Sequence, residues 1–163
     1  MNSSSSKPPI AILSASDDPR LENTVSKCLA NHCALLTFGI SDQKGRRRVE
    51  EADGSKYRGL ALTADRIGSH RLLDTLNVDH FISHFFEEGK PVFAWGYAAN
   101  LLGVLGHMTS RSICCDSETH HTLHAFGAVI VSERSHVDGS LCTALSDLSD
   151  EEVSPVISRH FGI

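Results

Sequence analysis

The segment 114–124 contains most of the side chains in this sequence that could carry out chemistry. Two cysteines, two carboxylates and three histidines follow one another within it: Cys114, Cys115, Asp116, Glu118, His120, His121 and His124. His120 and His124 would share one face of a helix, and such a pair can bind zinc. The spacing matches no established zinc motif, however, and the chain holds ten histidines, so chance clustering explains the segment better. We therefore expect no metal and no cofactor, and keep His120 and His124 as weak candidates for a metal-binding protein.

Cys115 is the candidate for a catalytic or redox-sensitive thiol. Cys114 and Cys115 end a predicted strand, and alternation along a strand points only one of them toward a cleft at its end. A buried cysteine usually behaves as a small hydrophobic residue, which is the simpler explanation for both. The alternative is a reactive thiol that works with Asp116 or with Glu22. Glu22 lies near the start of a predicted helix, where a carboxylate is stabilised without any partner.

The sequence KPVFAWGYAANLL (residues 90–102) predicts a strand, a tight turn and a helix, and its turn residue is Gly96. Nucleophiles of many enzymes occupy such a turn, but glycine has no side chain that can attack a substrate. Glycine does accept the strained backbone angles of the turn without cost. Tyr97 could offer its hydroxyl group to a ligand, and Trp95 should pack between sheet and helix. Gly96, Tyr97 and Asp65, which follows another predicted strand, are the expected residues of a ligand cleft.

Short apolar segments bounded by turn residues predict the strands that would position these side chains. They are residues 9–13, 34–38, 59–63, 92–95, 112–115, 128–132 and 141–144. The Asp138-Gly139 turn would join the last two of them as a hairpin or a tight connection. The polar residues 39–57 predict either a small hairpin or a long loop.

Helical spacing of apolar residues predicts helices at 21–29, 72–88 and 97–105. A terminal helix should follow a capping box formed by Ser149 and Glu152, unless Pro155 places its start at Ser154. Strands separated by helix-length segments imply a flavodoxin-like α/β fold, a three-layer sandwich with a mainly parallel sheet. Ligands bind such sheets at the carboxyl ends of the strands, where the residues named above are expected to lie.

Composition and charge limit the classes of partner. The chain has 163 residues, a net charge of -5 and 40% hydrophobic residues, which suits one globular domain that does not bind nucleic acid. The basic cluster Arg46-Arg47-Arg48 is followed at once by Glu50 and Glu51, which favours a solvated loop. The sequence has no apolar run long enough to span a membrane and no signal-peptide pattern, so a cytoplasmic location and free cysteines are expected. The Ser-rich residues 1–7 are predicted to be disordered.

Several segments together resemble the ThiJ/PfpI superfamily, which is related to class I glutamine amidotransferases. GKPVFAWGYAANLLGVLG resembles the strand, elbow and helix that carry the nucleophile in that family, and AVIVSERSHVDGSLCTA resembles its later strands. YRGLALT and IAILSASDDPRLENT are similar to its third strand and to its first strand with the acidic turn that follows. The resemblance implies a ThiJ/PfpI-like domain over residues 8–163, with the flavodoxin-like fold and, by analogy, a homodimeric state.

The same resemblance implies that the catalytic machinery of the family is missing. Family members place a cysteine and a histidine at the elbow, where this chain has Gly96 and Tyr97. The family's third strand ends in a Pro-Gly-Gly turn that helps to form an oxyanion site, where this chain has Thr63, an alanine and Asp65. Glu22 matches the acidic residue that hydrogen-bonds the family nucleophile. We expect a pseudoenzyme that acts as a small-ligand or protein-interaction module. The alternatives are a hydrolase-type or deglycase-type enzyme or a redox sensor that uses a displaced cysteine, and a metal-binding protein.

Overall fold

The structure is a computed structural model that describes residues 7–38 and 45–163 of the chain. The disordered tail predicted for residues 1–7 lies outside the described residues except for Lys7, which is exposed. Residues 39–44 of the segment that the sequence left open lie outside them as well. The described residues form nine strands, six α-helices and three short 3-10 turns.

Most of the strands belong to one sheet. Their bounds are β1 Ile10–Ala15, β2 Cys33–Thr37, β3 Arg47–Arg48, β4 Gly59–Ala64, β5 Val92–Gly96, β6 Ser112–Ile113, β7 Val129–Ile130, β8 Ser135–Asp138 and β9 Leu141–Ala144. The seven-stranded sheet has the order β3-β2-β1-β4-β5-β9-β8, and β6 and β7 pair separately. All pairs are parallel except β8 with β9. The fold is the flavodoxin-like α/β sandwich that the sequence predicts.

Helices cover both faces of the sheet and bury two apolar layers against it. They are α1 Pro19–Cys28, α2 Arg66–Leu73, α3 Val78–Glu87, α4 Ala98–Val104, α5 His120–Ala125 and α6 Asp150–Phe161. Trp95 lies in one layer, where it is buried with Val25 of α1 and Ile157 of α6. Leu62 lies in the other layer with Phe81 of α3. Each fully buried side chain of this size contributes about 1.5–3 kcal/mol, so both layers hold the strand ends firmly in place.

Local sequence signals explain where the first and last helices begin. Asp18 accepts a hydrogen bond from the backbone N–H of Arg20, and Pro19 occupies the first turn of α1, where proline is well tolerated. The capping box predicted at the last helix is confirmed, because Ser149 and Glu152 exchange side-chain and backbone hydrogen bonds. The alternative start at Ser154 is wrong, since α6 continues through Pro155.

The register of the parallel strands brings four chain segments to one edge of the sheet. Ala15 at the end of β1 pairs with Ala64 at the end of β4, and Ala64 pairs with Gly96 at the end of β5. Trp95 in turn pairs with Ala144 at the end of β9. The residues that follow these four strands therefore meet at the carboxyl edge.

The single helix predicted for residues 72–88 is wrong. Two helices, α2 and α3, occupy this part of the chain, and α2 begins six residues earlier, at Arg66. Asn77 separates them, because its φ of 72° is left-handed and cannot occur inside an α-helix. The Asn77 amide also donates to the backbone carbonyls of Val49 and Ala52 at 3.0 Å and 3.1 Å, which fixes the break in place.

Three further expectations need correction. The strand predicted at 112–115 covers only β6 and belongs to the small sheet with β7, not to the main sheet. The Asp138-Gly139 turn joins β8 to β9, so the hairpin partner of β9 is residues 135–138 and not 128–132. Within the described part of the segment 39–57, the chain forms β3 and two 3-10 turns, so the predicted hairpin is absent there.

No helix of the described chain is long and apolar enough to cross a membrane.

Candidate functional site

A cleft of about 1000 Å³ lies at the carboxyl ends of β1, β4, β5 and β9. Its lining includes Asp65, Gly96 and Tyr97, the three residues that were predicted for a ligand cleft. Cys115 and Asp116, which follow β6, lie on the same cleft. The structure therefore brings five of the predicted residues together at the edge where α/β sheets bind ligands. That they bind one stays a prediction.

Gly96 lies at the turn between β5 and α4 and cannot easily be replaced. Its φ of 65° is in the left-handed region, where a residue with a side chain would be strained. A Cβ at this position would also lie 3.1 Å from the Cβ of Ser146, which is closer than ordinary van der Waals contact. Backbone angle and available space therefore both favour glycine at the elbow.

Ser146 belongs to a short stretch that faces the elbow, which we call the cover segment (residues 145–148). The backbone N–H of Ser146 donates to Oδ1 of Asp116 at 2.9 Å. Trp95, the residue before Gly96, donates from Nε1 to the carbonyl oxygen of Leu145 at 2.9 Å. These two bonds fix the cover segment, one from Asp116 on the cleft and one from Trp95 in the apolar layer, so Asp116 acts here as a positioning residue.

Trp95 packs as the sequence predicts. Its side chain is completely buried in the apolar layer under α1 and α6. The guanidinium of Arg20 lies 5.9 Å from the ring centroid and donates to the carbonyl oxygen of Leu148 at 3.2 Å. Arg20 therefore holds the far end of the cover segment while Trp95 holds its near end.

Asp65 caps α2 and also contacts the loop after β1. Its Oδ1 accepts a hydrogen bond from the N–H of Gly68 at 2.6 Å, and its Oδ2 accepts one from the N–H of Asp17 at 3.0 Å. Partial burial raises the pKa of Asp65, but these two bonds, the Ser16 hydroxyl and the charge of Arg71 lower it further, so the net shift is downward. The carboxylate is therefore ionised at neutral pH.

Tyr97 begins the α4 segment and is half-buried on the cleft. The guanidinium of Arg66 lies 5.9 Å from the centroid of its ring, within the range of a cation–π contact. Arg66 lines the same cleft, so a ligand there would meet an aromatic ring and a cation side by side.

Cys115 reaches the cleft, but its thiol is not activated. Burial raises the pKa of Cys115, and the Thr119 hydroxyl lowers it by less. Cys114 points the other way, into the protein, where its Sγ donates to the carbonyl oxygen of Thr143 at 3.2 Å, and burial raises its pKa too. The expectation that only one of the pair faces the cleft is confirmed in geometry. Neither residue has the lowered pKa that marks a reactive cysteine.

Glu22 does not join Cys115 at the cleft. Its carboxylate forms a two-pronged ion pair with Arg46, with N–O distances of 2.7 Å and 2.9 Å. The pair lines a second, smaller cavity of about 640 Å³ near the ends of β1 and β2. Glu22 is therefore committed to a structural partner, and the arrangement of Glu22 beside Cys115 is not found.

The histidine-rich segment does not gather metal ligands. His120 and His124 both lie on α5 and are exposed, and of the two only His120 lines the cleft. Within residues 7–38 and 45–163, no three His, Cys, Asp or Glu side chains are placed to hold one metal ion. A pair of exposed imidazoles on a short helix would be a weak site, since structural zinc takes four ligands.

Sequence reasoning missed Ser146, the residue that a Cβ on Gly96 would meet. Ser146 follows β9, so the rule that ligands meet residues after strand ends was sufficient to propose it. Only the parallel pairing of β5 with β9 places Ser146 against Gly96.

Comparisons with known proteins give the fold a wider context. No family profile matches the sequence, and no curated protein matches it either. Solved structures do match. A two-domain protein from Anabaena variabilis with DJ-1/ThiJ/PfpI-like and ferritin-like domains superposes with a TM-score of 0.79 at 19% identity. The match covers 96% of this chain and 48% of that protein, so the chain spans about half its length.

Two single-domain structures agree. A ThiJ/PfpI domain protein from Brachyspira murdochii matches with a TM-score of 0.73 at 17% identity, over 94% of this chain and 95% of that one. A mutant of a DJ-1 superfamily protein from Salmonella typhimurium matches with a TM-score of 0.77 at 16% identity, over 96% and 91%. The predicted resemblance in fold is therefore confirmed: this chain has the ThiJ/PfpI-like fold.

Proposed function

We propose that this chain, which has a ThiJ/PfpI-like fold, is a non-catalytic domain that binds a small ligand in the cleft above Gly96. The observation that carries the proposal is the geometry of the elbow. Gly96 offers no side chain to a substrate, and a Cβ at this position would lie 3.1 Å from the Cβ of Ser146, which leaves little room for one. Covalent catalysis needs an activated nucleophile, and the elbow supplies none.

The cleft retains what a binding site needs. A volume of about 1000 Å³ at the carboxyl edge suits a small molecule. Tyr97 and Arg66 offer a ring, a hydroxyl and a cation, while Asp116 and the cover segment hold the opposite wall in a fixed position. A wall held by hydrogen bonds favours binding, because little conformational freedom is lost when a ligand enters.

The second candidate is an enzyme or redox sensor that uses Cys115, which does line the cleft. Two observations count against it. Burial raises the pKa of the Cys115 thiol, and the carboxylate proposed to assist it, Glu22, is paired with Arg46. A nucleophilic cysteine needs a lowered pKa or an adjacent base, so binding is the better supported function.

A screen of a small-molecule library by amide-resolved NMR tests the proposal. We expect ligands that shift the amide signals of Asp65, Gly96, Tyr97 and Ser146 together. Tyr97→Ala should weaken their binding about tenfold or more, as expected when a stacking residue is lost. Val104→Ala, a change of an exposed residue outside the cleft, serves as the matched control and should leave binding unchanged. Ligands that shift only signals remote from the cleft would contradict the proposal.

Two further properties stay proposals, the first by analogy with proteins of this fold and the second from the sequence pattern. The first is a homodimeric state, and light scattering that gives the mass of a single 17.7 kDa chain at micromolar concentration would refute it. The second is a cytoplasmic location, which fluorescent tagging of the native protein tests directly.

A further inference from the structure

Two backbone N–H groups from separate elements converge at the point where β1 and β4 end. One belongs to Asp17, in the loop after β1, and the other to Gly68, in the first turn of α2. Both point at the carboxylate of Asp65, at 3.0 Å and 2.6 Å. The Ser16 hydroxyl also contacts this carboxylate and stabilises its charged form. Convergent N–H groups of this kind form anion-binding positions in other proteins.

The packing of α2 against β1 produces this convergence. A Cβ on Gly68 would overlap the carbonyl oxygen of Ala15, so only glycine allows the first turn of α2 to approach the end of β1 so closely. The N–H of Gly68 and the N–H of Asp17 can then face the same small volume. The close approach is thus specific to a glycine and does not follow from helix capping alone.

The position of the Asp65 carboxylate also lies at the topological switch point of the sheet, where the order of the strands reverses. β1 and β4 are neighbours, but the chain runs from β1 to β2 on one side of this pair and from β4 to β5 on the other side. Open α/β sheets bind ligands at such a point, and helix N-termini there attract negatively charged groups. In this chain the Asp65 carboxylate fills the position and faces the cleft.

We propose that Asp65 is a built-in occupant of this anion-binding position and that it makes the cleft select against anionic ligands. This inference rests on the proposed ligand-binding function and deepens it. A carboxylate, phosphate or sulfate group of an incoming molecule would find both N–H groups already paired and a negative charge in place. The ligand class is therefore small molecules that present no such group at the Asp65 end of the cleft.

The charges of the residues that line the cleft also disfavour anionic ligands. The cleft is lined by six carboxylates and two arginines: Asp18, Asp65, Asp116, Glu118, Glu133 and Asp147 against Arg66 and Arg134. Arg134 is already engaged by Asp147 and Glu152 at 3.5 Å and 3.3 Å. An anion would therefore enter a negative field with Arg66 as its main attraction.

Removal of the occupant should open the position to a small anion, and formate is the probe because it reproduces the lost carboxylate. Asp65→Ala is unfolded thermally in formate and in chloride at matched ionic strength. We expect a lower Tm than the wild type and a saturable rise of about 3–6 °C when formate reaches roughly ten times its Kd. The wild type should show no difference between the two salts. Formate should shift the amide signals of Asp17 and Gly68 in the variant.

Asp53→Ala is the matched control. Asp53 also caps a helical turn, but it is exposed and accepts a hydrogen bond from one N–H, that of Ser55, at 3.0 Å. Formate should not raise the Tm of this variant. If Asp65→Ala does not fold, Asp65→Ser keeps a capping oxygen for Gly68 and still frees the N–H of Asp17, so formate should shift the amide signal of Asp17 in that variant.

Three results would overturn the inference. They are the absence of any formate effect on both Asp65 variants, an equal effect on Asp53→Ala, and binding of formate or inorganic phosphate by the wild type at Asp17 and Gly68. None of them depends on the native ligand. A library screen in which nothing binds the cleft would instead refute the proposed function, so the two failures can be told apart.

Discussion

The Cβ of Ser146 lies 3.1 Å from the position that a Cβ would take on Gly96. The turn after β5 and the cover segment after β9 therefore lie close together, and the hydrogen bond from the Ser146 N–H to Asp116 holds the cover segment in place. The position where ThiJ/PfpI proteins are expected to carry a nucleophile is thus limited by a left-handed backbone and by a neighbouring side chain. The proposed loss of catalysis follows from both.

Gly96→Ala and Gly139→Ala together separate the effect of the left-handed backbone from the effect of the neighbouring Ser146 side chain. Both glycines have left-handed φ angles, 65° and 59°, but Gly139 has open space where the Cβ would lie. We expect a loss of about 1 kcal/mol in both variants from the backbone angle. Gly96→Ala should lose about 1 kcal/mol more, because the contact with Ser146 adds overpacking. Urea unfolding measures both, and equal losses would show that Ser146 does not constrain the elbow.

Asp116→Ala should loosen the cover segment. The variant leaves the N–H of Ser146 without its acceptor, and we expect a loss of about 0.5–1.5 kcal/mol together with faster hydrogen exchange at that amide. Asp116→Asn is the control, because its side-chain oxygen can still accept the bond. If the Ser146 amide exchanges equally fast in the wild type and in Asp116→Ala, Asp116 is not a positioning residue.

Four of the five cysteines should react slowly in the folded protein. Burial raises the pKa of Cys33, Cys114 and Cys115, and it raises the pKa of Cys142 to about 12. Since only the thiolate reacts, alkylation of Cys115 at about pH 8 should be slower than that of a free cysteine peptide. Mass spectrometry of the labelled protein measures this site by site. Labelling of Cys115 faster than the peptide would revive the displaced-thiol hypothesis.

Stability should fall as the pH is lowered below neutrality. Burial lowers the pKa of His160, and its hydrogen bonds to the carbonyl oxygens of Ser140 and Val92 raise that pKa by less, so the net shift is downward. Burial also lowers the pKa of His107. The unfolded chain binds a proton at each histidine near pH 6.5, whereas the folded chain binds it only at lower pH. Protons are therefore taken up on unfolding, and stability decreases from about pH 6.5 toward the folded pKa values.

His160→Gln tests this pH dependence. Gln can still donate to a backbone carbonyl but does not titrate, so the fall in the free energy of unfolding between about pH 7 and pH 5 should be smaller than in the wild type. Denaturant unfolding at several pH values measures the slope. An unchanged slope would mean that His160 does not contribute to it.

The central strands β1, β4, β5 and β9 could be predicted well from the sequence because they are buried and read as continuous apolar runs. The break at Asn77 could not, since apolar spacing continues through it and the left-handed turn is fixed by distant carbonyls of Val49 and Ala52. The hairpin partner of β9 was missed because residues 135–138 are polar and half-exposed, so they lack the apolar signal of the other strands.

In the candidate site, too, the residues marked by local sequence could be predicted and the long-range contacts could not. Gly96, Tyr97 and Asp65 could be assigned to the cleft because each follows a strand that the sequence predicts, and Cys115 because it ends one. Glu22 was assigned on resemblance alone, and its partner, Arg46, lies 24 residues away, just before β3, where no local pattern predicts the pairing. Contacts made by long-range pairing, such as Ser146 with Gly96, become visible only when the strand order is known.

The rate at which the purified wild type consumes a glyoxal substrate, measured beside Cys115→Ser, tests the central claim most directly. We predict a rate equal to that of buffer alone for both proteins, since neither Gly96 nor the protonated Cys115 thiol supplies a nucleophile. A rate above buffer in the wild type that disappears in Cys115→Ser would contradict the claim and establish this chain as an enzyme with a displaced cysteine.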